Sequence, residues 1–107
     1  MVREVGPSQL AEAQATGKPV IDVRDPAEYV GGHVPGARNI PLSLVPVRLS
    51  ELPRDEELYV VCAGGGRSVQ AADFLTRAGY NAVSVVGGTS AWISAGRPVA
   101  TGARPNG

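Results

Sequence analysis

The chain has 107 residues, and ten Lys plus Arg balance ten Asp plus Glu, so the formal net charge is zero. Hydrophobic residues make up 43% and charged residues 19%, the composition of a globular protein of single-domain length. No basic stripe points to nucleic acid, no charge block points to a membrane surface, and no apolar run is long enough for a spanning helix.

Cysteine and histidine occur once each. An internal disulfide is therefore impossible, and a metal site is not expected, since one Cys and one His make none of the usual zinc sets without carboxylates. The start, "MVREVGPSQL", carries Arg3 and Glu4 and no apolar stretch of leader length, so a reducing cytoplasm is the expected setting. A monomer is expected.

In chain order, "VREV" at 2–5 predicts a short strand. Ser8 is the expected cap of a helix through Leu10, Ala11, Ala13 and Gln14, ended by Gly17. "PVIDV" at 19–23 is a β-branched run and predicts a strand. "DPAEYV" at 25–30 predicts a helix start: Asp25 caps, Pro26 suits the first helical position, and Glu28 completes a capping box. Residues 31–42 read as loop with an extended "ARNI" inside it, and Ser43 is the expected cap of a helix over 44–51.

"ELYVVC" at 57–62 predicts a buried strand. "RSVQAADFLTRAGY" places Val69, Ala72, Phe74, Leu75 and Ala78 near helical spacing, with Gly79 beyond the end. "AVSVV" at 82–86 predicts another strand and "TSAWISAG" at 89–96 a last helix. Residues 97–107 show no periodicity and are expected to fray as a partly ordered tail. Strands alternate with helices throughout, so the expectation is one α/β domain over 1–107. Its mainly parallel sheet has about five strands, with helices on both faces. Ligands bind such sheets beyond the carboxyl ends of strands.

Cys62 stands at such an end, followed by Ala63, Gly64, Gly65, Gly66, Arg67 and Ser68. The thiolate is the nucleophile, and it needs positive potential to form near neutral pH. The helix after the loop would aim its N-terminus, roughly +0.5 of a charge, at the sulfur. N–H groups of residues 63 to 68 could converge on one anion, and the three glycines would allow the tight curl. Arg67 adds a full charge. Together these could bring the thiol from about 8.5 into the range of roughly 3.5–7.5 known for activated cysteines. A lone cysteine ending an apolar strand is also common core filler, but three glycines invite a purpose. No lysine follows them, so this is not a nucleotide P-loop, and the dinucleotide spacing is absent.

The segment Cys62-Ala63-Gly64-Gly65-Gly66-Arg67-Ser68 resembles the Cys-x-x-Gly-x-Arg-Ser active loop of rhodanese sulfurtransferases. "VIDVRDPAEYVGGHVPGARNIPL" is similar to the family's N-terminal signature in its spacing of Tyr29, His33, Val34, Pro35, Gly36, Ala37 and Ile40. "VVGGTSAW" resembles its C-terminal Gly-Gly…Trp segment. The resemblance implies a persulfide on Cys62, loaded from a donor such as thiosulfate and delivered to cyanide, a small thiol or a protein thiol, with no cofactor. Residues 63–68 would then bind the substrate sulfur. Many thiosulfate enzymes of the family place a basic or polar residue directly after the cysteine. Here it is Ala63, which counts against efficient thiosulfate use more than against sulfur transfer.

The remaining candidates read as structural. The resemblance implies that Asp22 and Arg24 brace the active loop, and an Arg24–Glu28 ion pair is expected across the helix start. His33, the only histidine, is expected to fix a loop by hydrogen bonds. Trp92 is expected in the core, and Arg38 and Arg97 as solvated charges. Two other functions stay open. A phosphatase or arsenate reductase also uses a Cys–Arg anion loop, but the related phosphatases resemble Cys-x-x-x-x-x-Arg, one residue longer than the run from Cys62 to Arg67. A noncatalytic binding module of the same family would commonly lack the cysteine.

Overall fold

A computed structural model describes residues 2–107. Five strands form one all-parallel sheet: β1 (Arg3–Val5), β2 (Val20–Asp22), β3 (Arg38–Asn39), β4 (Glu57–Val61) and β5 (Asn81–Val85), in the spatial order β1-β5-β4-β2-β3. Four helices join them: α1 (Pro7–Ala15), α2 (Pro26–Gly31), α3 (Gly66–Arg77) and α4 (Gly88–Ser94). Among the described residues no helix is long and apolar enough to cross a membrane.

The sheet is buried on both sides because its side chains alternate between two apolar layers. From β4, Leu58 and Val60 enter the layer that holds Ala71, Ala72 and Leu75 of α3, and Cys62, next beyond the strand, follows them. Tyr59 and Val61 enter the other, with Leu10 and Ala13 of α1 and Trp92 of α4. Each fully buried Leu, Ile or Val contributes about 1.5–3 kcal/mol. Helices on both faces and the burial of β4 agree with the sequence expectation.

Three local expectations are corrected. Ser8 does not cap α1: the helix begins at Pro7 with Gly6 before it, and the Gln9 side chain accepts the Gly6 N–H at 2.8 Å. Pro at the first position has no N–H to satisfy, so the start shifts to it. The segment after Ser43 is not an α-helix but two 3-10 turns, Leu42–Val47 and Leu49–Glu51; because the first starts at Leu42, Pro46 falls at its fifth position and has no N–H for the Leu42 carbonyl.

The expected Arg24–Glu28 ion pair is absent. Arg24 instead holds Asp22, both buried, through Nη2 to Oδ2 at 2.8 Å and Nε to Oδ1 at 3.0 Å, and donates to the Gly32 carbonyl. Residues 97–107, expected as a partly ordered tail, make defined contacts with the domain. They run back along the loop after α2, where His33 and Ala100 exchange backbone hydrogen bonds of 2.8 and 2.9 Å, and Gly36 donates to Pro105.

Candidate active site

The C-terminal end of β4 delivers Cys62 to the centre of the sheet edge, and residues 63–65 turn the chain into α3. Gly65 has φ +118°, a conformation that residues with a Cβ rarely adopt. The turn directs its N–H onto the Cys62 sulfur at 3.0 Å. Gly64 and Gly66 are different. Neither has positive φ, and a Cβ on either would project into open space. Only one of the three glycines is demanded by the curl; the other two leave the front of the loop without side chains.

The sulfur is almost fully buried under this curl, with Cys62 only 1% exposed. Burial alone would push the thiol up. The Ser68 hydroxyl and the N–H groups of Ser68, Gly65 and Arg67 outweigh it, and Cys62 lies below its ordinary value. The first turn of α3 is thus an anion cradle. Ser68 Oγ lies 3.4 Å from the sulfur, donates to the Gly65 carbonyl at 3.1 Å, and lies 2.8 Å from the hydroxyl of Ser84 on β5.

Arg67 is engaged elsewhere. Its Nη1 and Nη2 grip Glu28 of α2 at 2.7 and 2.9 Å, a fork-to-fork pair. This contact pushes Arg67 up and lowers Glu28 to about 2. Glu28 also accepts the Asp25 N–H, so it serves both the capping box and the loop arginine. The expectation that Arg67 presents a full charge to an anion is corrected: a carboxylate already balances it. The thiolate-favouring potential comes chiefly from backbone dipoles and the Ser68 hydroxyl.

The loop is also held from behind. The N–H groups of Thr89 and Ser90, at the start of α4, donate to the carbonyls of Cys62 and Ala63 at 2.8 and 3.1 Å. Gly88, with φ +54°, makes this approach possible: a Cβ there would lie 2.2 Å from the Cys62 carbonyl oxygen.

Among the other sequence candidates, Asp22 and Arg24 are buried together at the end of β2, and Asn39 bridges the Asp22 and Arg24 carbonyls through Nδ2. His33 is fully buried, stacked 3.7 Å from the Tyr29 ring, with Nδ1 and Nε2 each 2.9 Å from a carbonyl oxygen, those of Tyr29 and Pro105. It fixes a loop, as expected. Trp92 is in the core and donates to the Pro98 carbonyl at 2.7 Å. Arg38 pairs with Glu51 on the surface, but Arg97 is not simply solvated: its guanidinium lies over the Trp92 ring. No three His, Cys, Asp or Glu side chains converge as a metal site among the described residues.

Sequence reasoning missed Ser84 and Gly88. The signal for Ser84 was a lone hydroxyl inside the apolar run "AVSVV"; that for Gly88 was the second glycine of a pair directly before a helix.

Comparison with known proteins shows the family of the chain. The chain is 37% identical to a sulfurtransferase of Allochromatium vinosum, over 92% of this chain and 95% of that one. It is 33% identical to a thiosulfate sulfurtransferase of Pseudomonas entomophila, over 86% and 85%. A crystal structure of a rhodanese-related protein from Thermoplasma volcanium superposes with a TM-score of 0.84 at 38% identity, covering 91% of this chain and 96% of that one. With the model of the rhodanese-like domain matching residues 6–95, the chain belongs to the rhodanese-like family of sulfurtransferases.

Proposed function

We propose that Cys62 is the sulfur-carrying nucleophile of this sulfurtransferase. The observation that carries the reading is the sulfur under its curl, with the Gly65 N–H at 3.0 Å and Ser68 Oγ at 3.4 Å. The Cys62 thiolate attacks the outer sulfur of a donor. With thiosulfate, the S–S bond of the donor breaks, sulfite leaves with the electron pair, and Cys62 becomes a persulfide anion. An acceptor then attacks the terminal sulfur; with cyanide, thiocyanate leaves and the Cys62 thiolate returns. This is two-step covalent catalysis. The N–H groups of Gly65, Arg67 and Ser68 stabilise the anion at each stage, as an oxyanion hole does. The donor approaches through the opening that Gly64 and Gly66 leave.

Thiosulfate is a dianion, and this mouth offers it little free charge, because Ala63 is apolar and Glu28 holds Arg67. A persulfide of a small or protein thiol, carrying less charge, suits the site better. The test is intact mass. Incubation with a donor should add one sulfur atom, cyanide should remove it, and Cys62→Ser should take up none. Equal loading of the Cys62→Ser variant would refute the assignment.

A further inference from the structure

The hydroxyl behind the loop serine has a defined place in this site. Ser84 is fully buried on β5, and its side chain shares a face of the sheet with Ala82 and Cys62. Its Oγ lies 2.8 Å from Ser68 Oγ, and it has no other side-chain partner among the described residues. A serine hydroxyl has one proton and two acceptor positions. Ser68 uses its proton on the Gly65 carbonyl at 3.1 Å, and its oxygen lies 3.4 Å from the Cys62 thiol, which can donate to it. Either hydroxyl can donate in the 2.8 Å pair; when the Ser68 proton is on Gly65, the donor is Ser84.

The consequence appears when Cys62 is ionised. The sulfur is then an acceptor, and the Ser68 hydroxyl must turn from Gly65 to donate to it. Ser84 continues to donate to Ser68 Oγ throughout. It fills one acceptor position of Ser68 in both states, holds the oxygen in place, and polarises its O–H toward the sulfur. We infer that Ser84 is a positioning residue, which sets the Ser68 hydroxyl on the Cys62 sulfur from the far side of the loop. This rests on the reading of Cys62 as the reactive thiol, and it extends the anion cradle from the α3 turn into the adjacent strand.

The test reads thiol ionisation directly. The rate of Cys62 alkylation by iodoacetamide is followed against pH in the wild type and in Ser84→Ala, Ser84→Val and Ser84→Thr, with thermal melting as the control for folding. Loss of the hydroxyl should move the midpoint up by about 0.5 to 1 pH unit, the scale of one ordinary hydrogen bond, since Ser84 reaches the sulfur only through Ser68. Ser84→Thr should restore it. The charged groups around the loop are Arg67 from α3, Glu28 and Asp25 from the α2 end, and Asp22 with Arg24 from β2. They are the same in every variant, so the shift reports the hydroxyl. Two substitutions without a hydroxyl keep the test open if one of them fails to fold. A profile of Ser84→Ala or Ser84→Val that superimposes on the wild type overturns the proposal. Alkylation needs no sulfur donor. Failure of sulfur loading in the wild type would therefore sink the functional reading without touching this result, and normal loading with superimposed profiles would sink only the role of Ser84.

Discussion

At the scale of single residues, the site depends on contacts that side-chain charge does not reveal. Gly88 is the sharpest case. Alanine there would be forced into a left-handed conformation and its Cβ would meet the Cys62 carbonyl oxygen at 2.2 Å, so the backbone must move. Gly88→Ala should cost about 2 kcal/mol or more in urea denaturation, and sulfur transfer should fall further than stability explains. Glu28 makes the opposite prediction. Glu28→Gln removes the charge that balances Arg67 and releases the guanidinium toward incoming anions. Steady-state assays should then show kcat/KM for thiosulfate rising by about three- to tenfold at low salt, and the gain should shrink as salt is added. A fall would mean that Arg67 is useful only where Glu28 holds it.

At the scale of elements, the Arg67–Glu28 pair ties α2 to the first turn of α3 across 39 positions of sequence. Glu28 is lowered to about 2 from 4.5, chiefly by its hydrogen bonds with Arg67. A lowered carboxylate stabilises the fold fully above its unfolded value and loses that contribution as pH falls through the folded one. The window is therefore about pH 4.5 down to about 2. The pair is partly exposed, so its contribution should be below about 1 kcal/mol. Urea midpoints of wild type and Glu28→Gln should differ near neutrality and converge at the bottom of that window.

The same elements show what the sequence made legible. The β-branched runs of β2 and β4, and the helical spacing of α3, announced themselves because local pattern and tertiary burial agree there. Glu28 was legible as a capping residue, since its Asp25 partner is local, but not as the partner of Arg67, which only the sheet brings near. Arg24 was assigned to Glu28 by the same local logic, while its rigid fork is satisfied by Asp22 and a loop carbonyl. The loop cysteine was legible from its glycines. The reach of Ser68 to Ser84 depends on how β5 and α3 pack, which no local pattern encodes.

At the scale of the whole molecule, the segment after α4 packs along α2 and the loop that follows it. Its backbone bonds to Val30, His33 and Gly36, the Pro105 carbonyl meets the His33 ring, and the Pro98 carbonyl accepts the Trp92 indole N–H. Val30 and Gly36 are exposed, but His33 and Trp92 are buried, so removing their partners leaves polar atoms that water satisfies only after local opening. Ending the chain at Arg97 should therefore cost about 2–3 kcal/mol in urea denaturation, and the fluorescence of Trp92, the only tryptophan, should shift to the red. The hydrogen bonds of this segment fall on α2, the loop after it and Trp92, not on residues 62–68. At temperatures where the shortened chain stays folded, the pH profile of Cys62 alkylation should thus match that of the full chain. A profile displaced together with the loss of stability would mean that the closing segment and the sulfur loop are coupled through α2, by way of Glu28 and Arg67, and that the fold transmits strain from one edge of the sheet to its centre.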